Sequence, residues 1–487
     1  MVRVRKTFGH NFSILVVALL LILLSGVFVL LGDFSKVDAV LESDSNAVDI
    51  IGQYDDSLQG DYTKSGKNNG PNKYGMDSPR DVVMDETNNK MYIADDANGR
   101  VLVYNLGGAN DPVDYIPDFV LGSDDFSSNT MGTFSDTNLG TNTRITLALD
   151  VTGNRLFVGD YHRLLVFDTG SLASGMAASN VLGSPNFTNS GSDDMAIGVT
   201  AANVGMVNGM TYDSNQDYLY VSDYDNHRIL IFDIGDGIVD GEDAINVLGH
   251  LNFTSSDSGL AANKFYQPGS IVYDNPNDRL FVSDDGNNRT VVFDLDYGGG
   301  DPINDGRWAD SVIGANDFSQ SGDGSGNGGL AYDVARDYLY VDTCGATFGI
   351  NVYDVETIDN GEAAIATNDF VYGSRSSFFS NIYYNSTKEY LYSADEYAYE
   401  ILDASTVDEI TYTSTQFGHA TVAGATISDD PSDANNGAWP YGLDQPQHVL
   451  VDTENDRIYI FEYGPLRITA HNTTSGVLGD KIPDAVL

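Results

Sequence analysis

The sequence predicts an all-β fold made of one repeated four-stranded antiparallel unit, and three observations support this prediction. A short strand of alternating aromatic and aliphatic residues recurs seven times, at intervals of 52 to 67 residues. Gly is abundant, at 51 residues, and Pro is scarce, at 13, which suits many tight turns between short strands. No apolar period of 3.6 residues, the mark of an amphipathic helix, separates the copies.

The recurring strand is the second of its unit, and it ends in an acidic residue in most copies. Its copies are KMYIAD (Lys90–Asp95), RLFVGD (Arg155–Asp160), YLYVSD (Tyr218–Asp223), RLFVSD (Arg279–Asp284), YLYVDT (Tyr338–Thr343), YLYSAD (Tyr390–Asp395) and RIYIFE (Arg457–Glu462).

Further strands flank each copy. A first strand closing on Asp or Asn, such as GMTYD, precedes it, and a third strand, such as RILIFD, follows. A fourth strand is expected at the motif VLG-x-x-x-F, as in Asn246–Phe253, with weaker versions at Phe370–Phe378 and Ser414–Ala420. One such sheet cannot bury both of its faces, whereas sheets packed radially on one another can. The sequence therefore predicts a β-propeller of four-stranded antiparallel blades, with seven blades expected and six as the alternative.

Closure of a propeller ring needs a strand from one terminus in the blade of the other. The stretch AVDIIGQYDD (Ala47–Asp56) has the pattern of a fourth strand with no unit of its own in front of it. The stretch GVLGDKIPDAVL (Gly476–Leu487) could supply the same strand. The final Val-Leu precedes Gly elsewhere in the repeat, so a longer native chain is one reading of this ending.

The first 32 residues predict a membrane anchor. Basic residues (Arg3, Arg5 and Lys6) precede Phe12–Leu31, a run of 20 residues without charge, which is long enough to span a bilayer as a helix. Basic residues before the run and acidic ones after it place the N-terminus in the cytoplasm and the body outside. We expect a single-pass anchor over residues 1–32, a linker over 33–46 and the propeller over 47–487, with secretion after signal cleavage as the alternative.

The charge of the chain limits its partners. The formal net charge is −47. Phosphate binding needs clustered Lys and Arg, so nucleic acid is excluded as a partner. An acidic solvated surface, cation-binding loops and a cationic partner each fit this charge.

The turn between the second and third strands carries a family resemblance. The pattern Asp-x-x-Asn-x-Arg, as in Asp223–Arg228, follows an aromatic-Val strand and precedes a strand ending in Phe-Asp. It resembles the NHL repeat, as found in extracellular bacterial and archaeal proteins. The resemblance extends over about residues 47–487. It is specific in the first, third and fourth copies of the repeat and becomes weaker in the fifth to seventh copies. It implies a propeller of often six blades, and some members are lyases with zinc bound by histidines in the pore.

One Arg recurs at a fixed position of the repeat. Its copies are Arg100, Arg163, Arg228 and Arg289. In so acidic a chain, we expect each to form an ion pair with the Asp that ends a neighbouring strand, rather than a ring of ligand-binding side chains.

Catalytic residues are not predicted. The seven His share no repeat register, and only His448 lies near a predicted inner strand, where a structural role is the simpler interpretation. No GxSxG, HExxH or P-loop motif is found.

Calcium is the only cofactor that the sequence indicates. The stretch DIGDGIVDGED (Asp233–Asp243) places Asp233, Asp236 and Asp240 at intervals reminiscent of an oxygen-rich cation loop, but it does not match the EF-hand register. A solvated turn is the alternative.

Three functions follow from these features. The first is a membrane-tethered extracellular scaffold that binds protein or glycan through Tyr and Asp side chains on one loop face. The residues of that face are expected to be Asp95, Asp96, Tyr161, Tyr224, Asp225, Asp285 and Tyr463. The second is a metal-dependent lyase or lactone hydrolase acting in the propeller channel. The third is a calcium-stabilised surface-layer or adhesion component. Propellers serve all three roles, so the fold does not choose among them.

Overall fold

The computed structural model of the chain describes a part of its residues, mainly strands and their turns. These are residues 49–51, 71–73, 75–77, 79–107, 116–128, 132–140, 144–189, 198–295, 303–322, 329–344, 348–358, 360–361, 364–369, 382–385, 390–394, 399–403, 446–452, 457–462 and 467–472. The predicted anchor, Phe12–Leu31, lies outside them. In the described part, no helix is both long and apolar enough to cross a membrane.

The described residues form 27 strands. They are β1 (Asp49–Ile51), β2 (Pro79–Asp85), β3 (Lys90–Asp95), β4 (Arg100–Asn105), β5 (Phe119–Leu121), β6 (Thr146–Asp150), β7 (Arg155–Gly159), β8 (Leu164–Asp168), β9 (Asn180–Leu182), β10 (Val207–Asp213), β11 (Tyr218–Asp223), β12 (Arg228–Asp233), β13 (Asn246–Leu248), β14 (Pro268–Asp274), β15 (Arg279–Asp284), β16 (Arg289–Asp294), β17 (Ser311–Ile313), β18 (Leu330–Asp333), β19 (Tyr338–Cys344), β20 (Phe348–Asp354), β21 (Ala366–Asp369), β22 (Ile382–Asn385), β23 (Tyr390–Ala394), β24 (Tyr399–Asp403), β25 (Pro446–Asp452), β26 (Arg457–Glu462) and β27 (Arg467–Asn472). The described helices are three 3₁₀ turns, at Asp96–Asn98, Thr169–Ser171 and Asp285–Asn287.

These strands form seven antiparallel sheets, which we call units 1 to 7 in chain order. Units 1 to 5 are four-stranded meanders (β2–β5, β6–β9, β10–β13, β14–β17 and β18–β21). Unit 6 has three described strands, β22–β24, and unit 7 combines β25–β27 with β1. In units 1 to 5 consecutive strands pair with one another, and in units 1, 3 and 4 short polar turns join the second strand to the third.

The first strands of the units follow one another in a closed circle. Each contacts the first strand of the next unit, from β2 through β6, β10, β14, β18 and β22 to β25, and β25 contacts β2. Strand β1 pairs with β27, with Ile50 opposite Thr469. The result is an all-β, β-propeller-like fold in which the N-terminal candidate strand completes the last sheet, while the C-terminal candidate, Gly476–Leu487, lies outside the described residues.

The core lies between neighbouring sheets, because the second strand of each of units 1 to 5 is buried on both faces. In β3, Tyr92 and Ala94 pack toward unit 2, while Met91 and Ile93 pack in a cluster that also contains Ile468 of unit 7. Similar clusters join units 2 and 3, units 3 and 4, and units 4 and 5. Burying a large apolar side chain stabilises the fold by about 1.5 to 3 kcal/mol, so these interfaces explain why both strand faces are apolar.

The fourth strands differ in part from the sequence expectation. In units 1 to 4 they are three residues long and end just before the Gly of the VLG motif or its variant. In unit 5 the described fourth strand is Ala366–Asp369, which pairs with β20, and the expected segment Phe370–Phe378 lies outside the described residues. The weaker candidate at Ser414–Ala420 lies outside the described residues.

The repeated Arg ties three segments of its unit together. Arg228 is fully buried, and its Nε donates a hydrogen bond to Asp223 Oδ2 at 2.7 Å. Its Nη1 donates to the carbonyl of Phe253 at 2.6 Å. Its Nη2 donates to the carbonyls of Thr200 and Asn203, at 3.0 and 2.6 Å, in the segment before β10. The guanidinium therefore joins the end of the second strand, the segment after the fourth strand and the linker that enters the unit.

The other three copies have the same arrangement and are equally buried. Their ion pairs are Arg100 with Asp95, Arg163 with Asp160 and Arg289 with Asp284. The Phe of the VLG-x-x-x-F motif supplies the carbonyl acceptor in each case, through Phe126, Phe187 and Phe318. Because a buried guanidinium needs all of its donors satisfied, the Asp, the Phe segment and the linker recur together.

Candidate ligand-binding site

The best-defined polar site of the described residues lies at the end of the ring where the first strands begin. The turns between the second and third strands lie at the same end, since Val207 at the start of β10 pairs with Asp223 at the end of β11. These turns contact the next unit: the backbone N–H of Ile145, just before β6, donates to Asp96 Oδ1 at 2.8 Å. Side chains from several units therefore meet at this end.

We define the inner-end cluster by six polar side chains of units 1 to 4. They are Arg80, Asp96, Arg144, Asn208, Tyr224 and Asp285. Asp96, Tyr224 and Asp285 share one position of the repeat, directly after the Asp that pairs with the buried Arg. Asp96 is nearly buried, and the other five side chains are partly exposed.

Arg144 is the central member of the cluster. It lies just before β6 in the left-handed region, with φ at 62°, which points to a position that the surrounding structure imposes. Its Nη1 donates to Asn208 Oδ1 at 3.3 Å, and its guanidinium lies 5.1 Å from the ring centroid of Tyr224. A guanidinium at this distance from an aromatic face makes a cation–π contact. Arg144 thus connects units 2 and 3.

The acidic members are held in a partly desolvated environment. Burial raises the pKa of Asp96, against the opposing effects of Arg80 and of hydrogen bonds from the backbone of Ile145 and Arg144. Burial also raises the pKa of Asp285 well above its usual range, although Ser283 Oγ donates to Asp285 Oδ1 at 2.7 Å. Arg144 acts against this rise. Both carboxyl groups can therefore hold a proton nearer to neutral pH than a solvated Asp does.

A third carboxyl group with a raised pKa lies beside the cluster. Asp81 follows Arg80 in β2 and accepts hydrogen bonds from the backbone N–H groups of Leu147 and Val82, at 2.7 and 2.8 Å. Burial raises its pKa to about 6, although these hydrogen bonds and Arg80 act in the opposite direction. Asp81 joins the first strands of units 1 and 2, which identifies it as a structural neighbour of the site.

The structure separates the residues that the sequence grouped on one loop face. Asp96, Tyr224 and Asp285 lie in the inner-end cluster. Asp95 does not, because it is fully buried and paired with Arg100 at 2.6 Å. Its carboxylate serves the fold and is not accessible to a ligand.

The remaining expected residues lie beside the cluster or cannot be placed. Tyr161 has a φ of 58° and packs edge-on against His162, with ring centroids 4.2 Å apart. Asp225 is exposed as a residue, but partial desolvation of its carboxyl group and the charge of Asp223 raise its pKa against the effects of His162 and Arg144. The side chains of Tyr463 and His448 lie outside those that the structure describes.

The weak calcium candidates have other partners. Asp233 accepts from the backbone N–H of Gly235 at 3.0 Å. Asp240 Oδ1 accepts from Asn180 Nδ2 at 3.1 Å and from the backbone N–H of Val181 at 3.2 Å, which ties the loop to unit 2. Asp236 is exposed. Among the described residues, no three His, Cys, Asp or Glu side chains are placed to hold a metal ion, so the part of the chain in view supplies neither a calcium nor a zinc centre.

Sequence reasoning missed the two basic members of the site. Arg80 lies near the start of a first strand, and Arg144 lies in a linker that carries no repeat motif. A signal was present, because both are basic residues outside the fixed Arg position in a chain of net charge −47. Such residues are candidates for function when the repeat does not require them.

A second surface, between units 3 and 4, is less informative. A shallow depression is lined by Leu260, Ala261, Ala262, Asn263, Trp308, Ala309, Phe318 and Ser319. Trp308 is 68% exposed. This lining offers apolar contact and few directional hydrogen bonds, whereas the inner-end cluster offers donors, acceptors and an aromatic ring.

Comparison with known proteins does not identify the chain. No family model matches it, and no curated protein matches it. Among solved structures, "a putative 6-phosphogluconolactonase from Bacteroides uniformis" is similar, with 15% sequence identity and a TM-score of 0.45. The match covers 74% of this chain and 92% of that one. At this level the match supports no conclusion about activity, and the NHL resemblance stays a prediction.

Proposed function

We propose that the protein is a membrane-tethered extracellular propeller of the NHL type that binds a glycan or a segment of another protein at the inner-end cluster. The observation that carries the proposal is the convergence of two guanidinium groups, two carboxyl groups, an amide and a phenol ring from units 1 to 4. The predicted anchor at residues 12–31 would hold the protein at the cell surface.

The chemistry of the cluster favours a ligand with closely spaced hydrogen-bonding groups. Arg80 and Arg144 can only donate, ionised Asp96 and Asp285 can only accept, and Asn208 can do both. Sugar hydroxyls and peptide amides present donors and acceptors side by side, as this set requires. Partial burial strengthens each hydrogen bond, and charged partners make the strongest ones.

Arg144→Met tests this proposal directly. The substitution removes the charge and keeps an unbranched apolar stem, so binding should weaken by about 10- to 100-fold, which is the loss of one or two charge-assisted hydrogen bonds. Full-length protein in detergent micelles would be probed with an array of neutral and acidic oligosaccharides and an array of peptides. Affinities for the strongest hits would then be measured by calorimetry.

Arg155→Met is the matched control. Arg155 pairs with Asp150 at 2.6 Å at the opposite end of unit 2 and is 20% exposed. Arg155→Met should change the affinity for the ligand little. Thermal unfolding would check that both variants are folded. Equal affinities of wild type and Arg144→Met for every hit would contradict the proposal.

A second candidate function is acid–base chemistry on a bound sugar or lactone. Protonatable Asp96 and Asp285 beside guanidinium groups favour it, because an Arg can stabilise a developing anion while a carboxyl group moves a proton. Turnover of uronic-acid oligosaccharides or sugar lactones, lost in Asp285→Asn, would support this candidate. Binding of these compounds without turnover would favour the scaffold function over the enzymatic one.

A further inference from the structure

We propose that Asn186 and Asn252 are acceptor sites for N-linked glycans. Both begin an Asn-x-Thr sequence, Asn186-Phe187-Thr188 and Asn252-Phe253-Thr254. This sequence is the acceptor of N-glycosylation when it lies on the surface of an exported protein. The inference requires an extracellular location, as the anchor prediction expects, and is independent of the inner-end cluster.

The two segments have the same exposed geometry. They follow the short fourth strands of units 2 and 3, and both Asn and both Thr residues are exposed. Asn186 Oδ1 accepts from the Thr188 hydroxyl at 2.8 Å and from its backbone N–H at 2.9 Å. Asn252 Oδ1 accepts from the Thr254 hydroxyl at 2.8 Å and from its backbone N–H at 3.0 Å.

This geometry leaves the amide nitrogen available. Among the described residues, no hydrogen bond engages Nδ2 of either Asn. The Thr hydroxyl draws electron density toward Oδ1, which makes the N–H group of the same amide more acidic. The two side chains are therefore both accessible and polarised for reaction at Nδ2.

The equivalent positions of units 1 and 4 show that the turn itself does not need an amide. Asp125 accepts from Ser127 and Ser128, and Asp317 accepts from Ser319. A carboxylate oxygen therefore closes the same turn. The Asn of units 2 and 3 adds a nitrogen that the fold does not use, which is what an acceptor site requires.

Another of the chain's Asn-x-Thr sequences provides an internal contrast. In Asn288-Arg289-Thr290, Arg289 and Thr290 are fully buried in β16, and Asn288 is in the left-handed conformation with φ at 55°. A transferase cannot reach this Thr in the folded protein. We expect Asn288 to be unmodified.

The transfer is a substitution at carbon. Nδ2 attacks C1 of a sugar carried on a polyprenyl phosphate or diphosphate, and the bond from C1 to the phosphate oxygen breaks. The lipid phosphate leaves with the bonding electrons, and a base of the transferase takes the Nδ2 proton. No oxidation or reduction is involved.

The test is mass spectrometry of the full-length protein isolated from its native cells. Peptide mapping should show glycan mass on the peptides that contain Asn186 and Asn252, and none on the peptide with Asn288. An unmodified peptide at either of the first two sites overturns the proposal for that site. Glycan on Asn288 would overturn the argument from burial.

Asp substitutions provide matched variants. Asn186→Asp and Asn252→Asp should each remove one glycan mass, because a carboxylate cannot accept the sugar. The turn should persist, since Asp closes it in units 1 and 4, and thermal unfolding checks this. Thr188→Ser should keep the glycan and Thr188→Ala should lose it. Retention of glycan mass in Thr188→Ala would contradict the role of the hydroxyl.

Discussion

The molecule uses arginine in two different ways at the same end of its sheets. Arg100, Arg163, Arg228 and Arg289 are fully buried and bound to a carboxylate and several carbonyl groups of their own unit. Arg80 and Arg144 are partly exposed and face carboxyl groups whose pKa values are raised. The four buried Arg residues occupy a fixed position of the repeat, whereas Arg80 and Arg144 lie outside that position.

This difference shows how function can be located in a repeat protein. A guanidinium with every donor bound to fixed backbone is part of the architecture, because its removal leaves buried acceptors unsatisfied. A guanidinium that is partly exposed beside protonatable carboxyl groups can contact a ligand. Fully buried copies therefore predict effects on stability, and partly exposed ones predict effects on binding.

Removal of a buried Arg should have the largest effect. Arg228→Met leaves Asp223 buried without its cation and frees three carbonyl acceptors. We expect a loss of about 3 to 5 kcal/mol in the free energy of unfolding. Denaturant titration would measure it. Addition of Asp223→Asn should restore part of the loss, and a full-stability Arg228→Met variant would show that the ion pair is not structural.

A buried acid beside the cluster should give a pH signature. The folded-state pKa of Asp81 is about 6, above the ordinary 3.8, so the folded protein holds this proton more tightly. Its contribution to stability is complete below pH 4 and is lost as the pH rises to about 6. Asp81→Asn lacks this titration. The stability difference, variant minus wild type, should rise by about 1 to 2 kcal/mol between pH 4 and 7, since Asp81 is partly exposed.

The control for this prediction is an acid on the surface. Asp125 is fully exposed, and hydrogen bonds from Ser127 and Ser128 lower its pKa to about 2. Asp125→Asn should therefore show no rise in relative stability over the same pH interval. Parallel pH curves for Asp81→Asn and wild type would contradict the assignment of Asp81.

Gly269→Ala should disturb the cluster with a smaller loss of stability. A Cβ at this position would lie 2.3 Å from Asp285 Oδ2, so the carboxyl group must move away. Because a flexible side chain can yield, we expect a stability loss of about 1 kcal/mol. Ligand affinity should fall by roughly fivefold, if one hydrogen bond is weakened. Calorimetry measures the affinity, and an unchanged value would remove Asp285 from the ligand site.

The smallest effect on stability is expected at Arg144. Arg144→Met removes the 3.3 Å hydrogen bond to Asn208 and the cation–π contact with Tyr224, both in a partly exposed position. The free energy of unfolding should change by no more than about 1 kcal/mol, while ligand binding weakens by about 10- to 100-fold. A destabilisation as large as that of Arg228→Met would mean that Arg144 belongs to the architecture.

Much of the fold could be predicted from local patterns. The second strands, their acidic ends and the turn residues recur along the chain, and each is a local requirement of a hairpin. The fourth strand of unit 5 is formed by Ala366–Asp369, a segment without the VLG motif, and short edge strands of this kind depend on their pairing partner. The closing strand had two candidates, because pairing between distant segments has no local signal.

Less of the candidate site could be predicted. Asp96, Tyr224 and Asp285 were expected on one loop face, and so was their neighbour Asp95, which is buried. Alternation along a strand places neighbouring side chains on opposite faces, so adjacency does not imply a shared environment. Arg144 was missed because its approach to Tyr224 joins residues that are far apart in the chain.

The sequence by itself determined the repeated hairpin, the all-β class and the Arg–Asp pairs, because these depend on residues a few positions apart. Only the tertiary structure decided which terminal strand pairs with β27, which carboxyl groups are desolvated, and that Arg80 and Arg144 meet acids and an aromatic ring from other units. The physical reason is that burial and electrostatic coupling depend on distances in space, which the circular order of the sheets sets and no single segment encodes.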